Sequence, residues 1–154
     1  MNDFCSSAHM ELILNPRHRK NTIKWVLDTV TPHTHRFDAI AVRGMSMALI
    51  APTIADILNK NIILVRKKGD DTHNRDYKIE GQRNNKYIII DDVWDSGDTI
   101  ISIINDIKDN HCVNSKCVGI VLFQHTKATW GPNQNNIVAE VFGLSNERVA
   151  ELLI

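Results

Sequence analysis

The sequence predicts a single α/β domain with a mainly parallel central sheet flanked by helices. Strand-like and helix-like runs alternate along its 154 residues, and this alternation is typical of α/β domains. Two runs, residues 62–65 and 87–90, are apolar or aromatic throughout, as expected for strands that are buried on both faces of a parallel sheet. A chain of this length usually forms one hydrophobic core, so we expect one domain over residues 1–154.

The first half of the chain contains two predicted helix–strand pairs. Apolar side chains recur at positions i, i+3, i+4 and i+7 within residues 21–30 and predict a helix that stops before Pro32. A second helix contains Pro52, which either kinks it or lies in its first turn. The predicted bounds are residues 37–42 for the first strand, 47–59 for the second helix and 61–66 for the second strand.

A long polar segment, residues 67–85, interrupts this alternation. Its 19 residues exceed the length of an ordinary connection, and segments of this kind are either disordered or functional. We therefore interpret residues 67–80 as a mobile lid. The elements predicted beyond it are strands over residues 87–90 and 118–123, a helix over residues 99–107, a less polar stretch over residues 137–144 and a short helix over residues 146–153 capped by Ser145.

Composition and charge exclude several classes of function. The chain has 18 basic and 18 acidic residues, whereas a general binder of phosphate backbones carries a basic excess, so we expect no nucleic-acid partner. Its three cysteines, Cys5, Cys112 and Cys117, contain no CxxC pair; they predict neither a disulfide framework nor a zinc site and favour a reducing compartment. The N-terminus lacks a signal-peptide core and no run approaches the length of a membrane span, so the predicted location is cytoplasmic, without membrane contact.

One thirteen-residue segment, residues 87–99, combines features that suit a sugar phosphate. An apolar strand ends in Asp91 and Asp92, at the end of a parallel sheet where ligands gather. These carboxylates can accept hydrogen bonds from ribose hydroxyls and are the predicted magnesium ligands. Backbone amides where the next helix opens can form a nest for a phosphate. The residues predicted to build this nest are Asp95, Ser96, Gly97, Asp98 and Thr99. The alternative is a solvated turn with a capping aspartate.

This segment resembles the phosphoribosyl pyrophosphate signature of type I phosphoribosyltransferases. In that signature, aliphatic residues precede two acidic residues, three variable positions and Thr-Gly-x-Thr or Thr-Gly-x-Ser. The chain differs in Ser96, which stands where threonine is more common, and in the acidic Asp98 near the phosphate.

Two further segments follow the order of this family. The loop after the first strand resembles the loop that binds pyrophosphate through backbone amides, with Arg43 and Ser46 as candidate direct ligands; a strand–turn–helix link is the alternative. The residues of this loop are Arg43, Gly44, Met45 and Ser46. Residues 64–69, with residues 77–81 downstream, resemble the flexible loop of adenine phosphoribosyltransferases, although the second tyrosine of that loop is missing.

The resemblance implies the type I phosphoribosyltransferase fold, with a small variable hood formed by residues 1–20 and 124–144. It also implies transfer of the 5-phosphoribosyl group from phosphoribosyl pyrophosphate to a purine base, with release of pyrophosphate, by a magnesium-dependent homodimer. In such an enzyme, Arg43, Arg66, Lys67 and magnesium would stabilise charge on the departing pyrophosphate. The protein would act through alignment and charge, without forming a covalent bond to the substrate.

The resemblance gives two conflicting indications of the acceptor base. Asp95 stands where 6-oxopurine enzymes place an aspartate that handles the proton of the base nitrogen, whereas the flexible loop resembles that of adenine enzymes. Lys127 resembles the lysine that reads the exocyclic oxygen of a 6-oxopurine, and Trp130 and Phe142 are candidates for stacking on the base. The alternatives are a helix-capping role for Asp95, a surface position for Lys127 and core packing for the two aromatic residues.

Two other functions stay open at this stage. The same fold serves regulators that bind phosphoribosyl pyrophosphate without catalysis. The acceptor could also be a compound other than a purine, such as orotate, uracil or a small amide. The basic residues Arg66, Lys67 and Lys68 at the start of the lid favour an enzyme over a regulator.

Overall fold

The computed structural model describes residues 7–70, 77–92, 97–124 and 126–130. Within these ranges the helices are α1 (Ala8–Leu14), α2 (Pro16–Val30), a 3₁₀ helix (Thr31–Arg36), α3 (Met45–Leu58) and α4 (Asp98–Asn110). The strands are β1 (Ala39–Val42), β2 (Asn61–Val65), β3 (Ile79–Glu80), β4 (Lys86–Asp91), β5 (Lys116–Leu122) and β6 (Lys127–Trp130).

The strands form one six-stranded sheet in the order β3-β2-β1-β4-β5-β6. β1 pairs in parallel with both β2 and β4, and β4 pairs in parallel with β5. The edge strands β3 and β6 run antiparallel to their neighbours. This architecture confirms the predicted α/β fold with a mainly parallel sheet flanked by helices.

Helices cover both faces of this sheet. The face that carries Ile89 packs against α4, whose Ile103 is fully buried there. The face that carries Ile88 packs against α1, α2 and α3, with Ile50 of α3 fully buried. Neighbouring residues of a strand point to opposite faces, so residues 87–90 of β4 are apolar or aromatic because both faces of the strand are covered there.

The three predicted helices in the described ranges differ in their bounds from the prediction, and α4 spans Asp98–Asn110 instead of residues 99–107. α2 begins at Pro16 rather than at residue 21, because the Asn15 side chain accepts a hydrogen bond from the Arg17 backbone N–H at 3.0 Å and Pro16 occupies the first position. Its polar first turns carry no apolar periodicity that could have revealed them. α3 begins at Met45, so Pro52 lies in the helix interior and the first-turn alternative is wrong.

In the described ranges, four elements lie outside the predicted set: α1, the 3₁₀ helix over Thr31–Arg36, β3 and β6. α1 packs Ile13 into the core on the sheet face that α2 and α3 cover, and β6 occupies residues for which no element was predicted. β3 has two residues, and its extended state depends on pairing with β2. The predicted elements over residues 137–144 and 146–153 lie outside the described residues. No helix in the described ranges is both long and apolar enough to cross a bilayer.

Candidate active site

The topology places a crevice at the carboxyl ends of β1 and β4. These strands are neighbours, but β1 continues through α3 to β2 on one side, whereas β4 continues through α4 to β5 on the other. The two connecting helices also lie on opposite faces of the sheet. In open α/β sheets, a reversal of this kind opens the crevice in which ligands bind.

A hydrogen bond joins the two loops that border this crevice. Ser46, in the first turn of α3, donates its hydroxyl to Asp92 Oδ2 at 3.3 Å. Asp92 in turn donates its backbone N–H to Asp91 Oδ1 at 2.9 Å. The structure thus brings the predicted pyrophosphate loop and the predicted ribose-binding carboxylates to one site.

The two adjacent carboxylates differ in environment. Asp91 is buried, with 6% of its surface exposed, and Asp92 is half-buried. Burial, and next the charge of Asp92, raise the pKa of the Asp91 carboxyl to about 7, against the smaller opposing effect of the Lys67 ammonium. Asp91 therefore exchanges a proton near neutral pH, and a bound cation or ribose hydroxyl would compete with that proton.

The same two carboxylates have the chemistry for a magnesium site. Magnesium in such sites takes one or two protein carboxylates and fills its octahedral shell with substrate phosphate oxygens and water. Within the described ranges, no group of three or more histidine, cysteine, aspartate or glutamate side chains is placed to hold a metal ion. A magnesium ion held by Asp91 and Asp92 would therefore depend on oxygens from the substrate.

Half-buried Gly44 stands at the start of α3. It caps the helix with φ 85° and ψ 167°, a conformation that is essentially restricted to glycine. A Cβ atom at this position would lie 3.5 Å from Lys67 Cε and 3.7 Å from its Nζ. The Lys67 ammonium and the N-terminal amides of α3 therefore lie together, which is a favourable setting for an anion.

The start of α4 supplies the second helix N-terminus at the crevice. Gly97 caps it in a left-handed conformation, with φ 83°, and accepts a hydrogen bond from the Ile101 backbone N–H at 3.0 Å. Asp98 and Thr99 are exposed in the first turn, so an anion can approach there. Asp95 and Ser96, the other predicted nest residues, lie outside the described residues.

The Arg43 guanidinium is bound by two residues of α4. Its Nη1 donates to Ser102 Oγ at 2.9 Å, and its Nη2 pairs with the Asp106 carboxylate on α4. Only 9% of the Arg43 side chain is exposed. The guanidinium is therefore engaged by α4, and its predicted role as a direct ligand stays a prediction.

Arg66 lies at the base of the predicted lid. Its guanidinium pairs with Glu80, and its backbone N–H donates to the Lys78 carbonyl at 2.9 Å. Val65 stands opposite Ile79 where β2 pairs with β3, so the two ends of the predicted lid meet as an antiparallel ribbon. Residues 71–76 of the lid lie outside the described residues.

A cavity of about 490 Å³ lies between this ribbon and α4. Its charged lining comprises five cations, Arg43, Arg66, Lys67, Lys68 and Lys78, and two carboxylates, Asp70 and Asp106. Lys67 lines this cavity and also lies beside Gly44, at the start of α3. The excess of positive charge beside the crevice favours anionic ligands.

Comparisons with known proteins identify the fold. No protein-family model and no curated protein matches the sequence. Among solved structures, a UMP synthase from Leishmania donovani matches with a TM-score of 0.58 and 23% identity, over 74% of this chain and 24% of that chain. An orotate phosphoribosyltransferase from Francisella tularensis matches with a TM-score of 0.56 and 16% identity, over 86% of this chain and 66% of that one. The chain has the type I phosphoribosyltransferase fold.

A third structure supports the same conclusion about the fold. The orotate phosphoribosyltransferase from Aeropyrum pernix matches with a TM-score of 0.53 and 16% identity, over 66% of this chain and 57% of that one. The chain thus spans about a quarter of the UMP synthase and 57% to 66% of the two orotate phosphoribosyltransferases. The fold implied by the sequence resemblance is confirmed.

In this type I phosphoribosyltransferase fold, Lys127 lies at the same end of the sheet as Asp91. Asp91 stands opposite Leu122 in the pairing of β4 with β5, and Leu122 stands opposite Lys127 in the pairing of β5 with β6. Two strand spacings correspond to about 10 Å between the backbones of Asp91 and Lys127. Lys127 therefore borders the carboxyl end of the sheet, as a base-reading residue would require.

Trp130, one of the two predicted stacking residues, does not come to the crevice. Trp130 is buried, with 4% of its surface exposed, and its ring stacks on His33 at a centroid distance of 4.0 Å. It stands opposite Gly119, three residues before Leu122 at the end of β5. This is the core-packing alternative, and it gives no support to a base contact. Phe142 lies outside the described residues.

Sequence reasoning missed the partners of Arg43. Ser102 and Asp106 lie four residues apart on α4, and Asp98 lies four residues before Ser102, so the three polar residues share one side of the helix. This spacing is the signal that could have indicated a charged contact there. Nothing local in the sequence relates that side of α4 to an arginine 63 residues away.

Proposed function

We propose that this protein is a phosphoribosyltransferase. It transfers the 5-phosphoribosyl group from phosphoribosyl pyrophosphate to a nucleobase and releases pyrophosphate. The observation that carries the proposal is the contact between Ser46 and Asp92. It joins the two predicted substrate loops in the crevice between β1 and β4, where the strand order reverses. The solved structures that share the fold include enzymes named as phosphoribosyltransferases.

Each part of the donor has a complementary group in the crevice. Asp91 and Asp92 accept hydrogen bonds from the ribose hydroxyls. The N-terminal amides of α3 and the Lys67 ammonium bind the pyrophosphate. The 5-phosphate binds at the start of α4, where Gly97 is left-handed and the first-turn residues Asp98 and Thr99 are exposed. When bound, magnesium supplies positive charge to the pyrophosphate oxygens.

The reaction exchanges one bond at the anomeric carbon for another. The bond from this carbon to the pyrophosphate oxygen breaks, and its electron pair leaves with pyrophosphate. A bond from the base nitrogen to the same carbon forms, and the base loses a proton. The chain contributes by holding the two reactants in line and by placing the Lys67 ammonium where negative charge develops.

The proposed acceptor is a purine, either a 6-oxopurine or adenine. A 6-oxopurine is supported by Asp95, a carboxylate at the motif position that suits proton transfer at the base nitrogen. The position of Lys127 at the carboxyl end of the sheet suits recognition of an exocyclic oxygen. The second candidate is orotate, which is favoured by the names of the structures that share the fold.

A homodimer and a cytoplasmic location belong to the same proposal. The dimer is supported by exposed apolar side chains on α3: Met45 is 72% exposed and Leu49, one turn later, is 49% exposed. Large apolar side chains that share an exposed helix side favour burial against a partner. The cytoplasmic location rests on the sequence, which favours a reducing compartment.

A panel of bases tests the proposed function. The protein is incubated with magnesium, phosphoribosyl pyrophosphate and either hypoxanthine, guanine, xanthine, adenine, orotate or uracil, and release of pyrophosphate is measured. We expect release with a purine, and release with orotate alone would transfer the proposal to the second candidate. Binding of phosphoribosyl pyrophosphate without release from any mixture would identify a regulator instead.

A further inference from the structure

Arg43 forms a closed polar network with two residues of α4. Its Nη1 donates to Ser102 Oγ at 2.9 Å, its Nη2 pairs with Asp106, and the Ser102 hydroxyl donates to Asp106 Oδ2 at 3.4 Å. Strand residues alternate between faces, so Arg43 continues the side of β1 that carries Ala41 and faces α4. We call Arg43, Ser102 and Asp106 the Arg43 brace.

The charges around the brace make Asp106 its essential member. The Arg43 side chain is 91% buried, since 9% is exposed, whereas Asp106 is 35% exposed. Arg66, Lys67, Lys68 and Lys78 line the same cavity and repel the guanidinium, while Asp70 is the second carboxylate of the lining. Without Asp106, a buried arginine would lose its ion-pair partner among four other cations, so its present position would be unfavourable.

The brace connects the two halves of the crevice. Arg43 directly precedes Gly44, which opens α3, and Ser102 lies one turn after the start of α4. A rigid link between these points fixes the distance between the helix N-termini that would hold the pyrophosphate and the 5-phosphate. A ligand that spans both ends binds more tightly when their separation is set in advance.

We propose that Asp106 and Ser102 are positioning residues that act through Arg43 to set the spacing of the two phosphate-binding helix starts. This inference rests on the proposed function, because phosphoribosyl pyrophosphate is the ligand that spans them. Arg43 then acts by holding the loop and not by contacting the substrate. The opposite arrangement, in which Arg43 is a substrate ligand, would require Asp106 to release it.

Removal of the Asp106 charge separates these two arrangements. Asp106→Asn is compared with Asp109→Asn, which makes the same change at an exposed position of the same helix. We expect the Kd for phosphoribosyl pyrophosphate with magnesium, measured by calorimetry, to rise by about 10- to 100-fold in Asp106→Asn. It should stay unchanged in Asp109→Asn and return towards the wild-type value in Asp106→Glu. An unchanged or lower Kd in Asp106→Asn would overturn the proposal.

Hydrogen exchange without any ligand separates failure of the brace from failure of the proposed function. We expect the amides of residues 45–48 and 99–102 to exchange faster in Asp106→Asn than in the wild type or in Asp109→Asn. If they do and the wild type does not bind phosphoribosyl pyrophosphate, the brace stands and the proposed function fails. If the wild type binds it and Asp106→Asn changes neither exchange nor Kd, the function stands and the brace fails.

Discussion

Ser46 and Asp92 lie 46 positions apart in the chain, yet the hydroxyl of one donates to the carboxylate of the other at 3.3 Å. Each residue belongs to a different βα unit, and the two units leave their strands in opposite directions across the sheet. Their contact therefore marks the point at which a ligand can touch both units at once. The proposed donor site is built around this point.

Lys67 should contribute to turnover through its charge at the start of α3. Its ammonium lies beside Gly44, where the pyrophosphate would develop negative charge. We expect Lys67→Ala to lower kcat by about 10², measured by pyrophosphate release. Lys68→Ala removes the same charge from the next position and is the control. Equal losses in both variants would show a general effect of charge rather than a specific contact.

The buried carboxyl of Asp91 should make stability depend on pH. Its pKa is raised from 3.8 to about 7, chiefly by burial, so the native state keeps a proton that the unfolded state loses. The free energy of unfolding contributed by this group therefore falls as the pH rises from about 4 to about 7. Urea denaturation at about pH 5 and about pH 8 should show this fall in the wild type and its absence in Asp91→Asn. A parallel pH dependence in both proteins would contradict the assignment.

Two glycines with positive φ should respond differently to alanine. Gly69 has φ 91° and open space around a new Cβ atom, whereas at Gly81, with φ 128°, that atom would lie 2.2 Å from the Ile62 carbonyl oxygen. We expect Gly69→Ala to cost roughly 1–2 kcal/mol from backbone strain alone and Gly81→Ala to cost more than about 3 kcal/mol. Thermal denaturation measures both. Similar losses would mean that β3 can move away from β2 without cost.

Asp95 distinguishes a 6-oxopurine acceptor from the others. If this carboxylate handles the proton of the base nitrogen, Asp95→Asn should lower turnover by about 10²–10⁴ and leave the affinity for phosphoribosyl pyrophosphate near that of the wild type. If it caps α4 instead, the variant should lose about 1 kcal/mol of stability and keep its turnover. Initial rates and melting temperatures measured on one preparation separate these outcomes.

The sequence predicts those parts of the fold that depend on local pattern. The aliphatic runs of β2 and β4 indicate burial on both faces, and the apolar spacing of α4 indicates its buried side, including Ile100, Ile103 and Ile107. β3 could not be predicted, because two residues of a polar segment become a strand only through pairing with β2. β6 likewise depends on its antiparallel pairing with β5.

The candidate site likewise contains residues that the sequence predicts and contacts that it does not. Asp91, Asp92 and the loop of Gly44 and Ser46 could be predicted because they follow apolar strands in a recognisable order. The pairing of Arg43 with α4 could not be predicted, because it depends on Asp106, which comes near Arg43 only when α4 packs on the sheet. The burial of Trp130 likewise depends on His33 and neighbouring core residues that are remote in the sequence.

The most direct test of the central claim is the effect of phosphoribosyl pyrophosphate on stability. A ligand that binds only the native state raises the free energy of unfolding by roughly 2.7 kcal/mol at a hundredfold excess over its Kd. Thermal denaturation with magnesium and phosphoribosyl pyrophosphate should show this stabilisation in the wild type and in Asp109→Asn, and most of it should disappear when both Asp91 and Asp92 are replaced by asparagine. The absence of stabilisation in the wild type, or equal stabilisation in the double variant, would contradict a donor site built on these carboxylates.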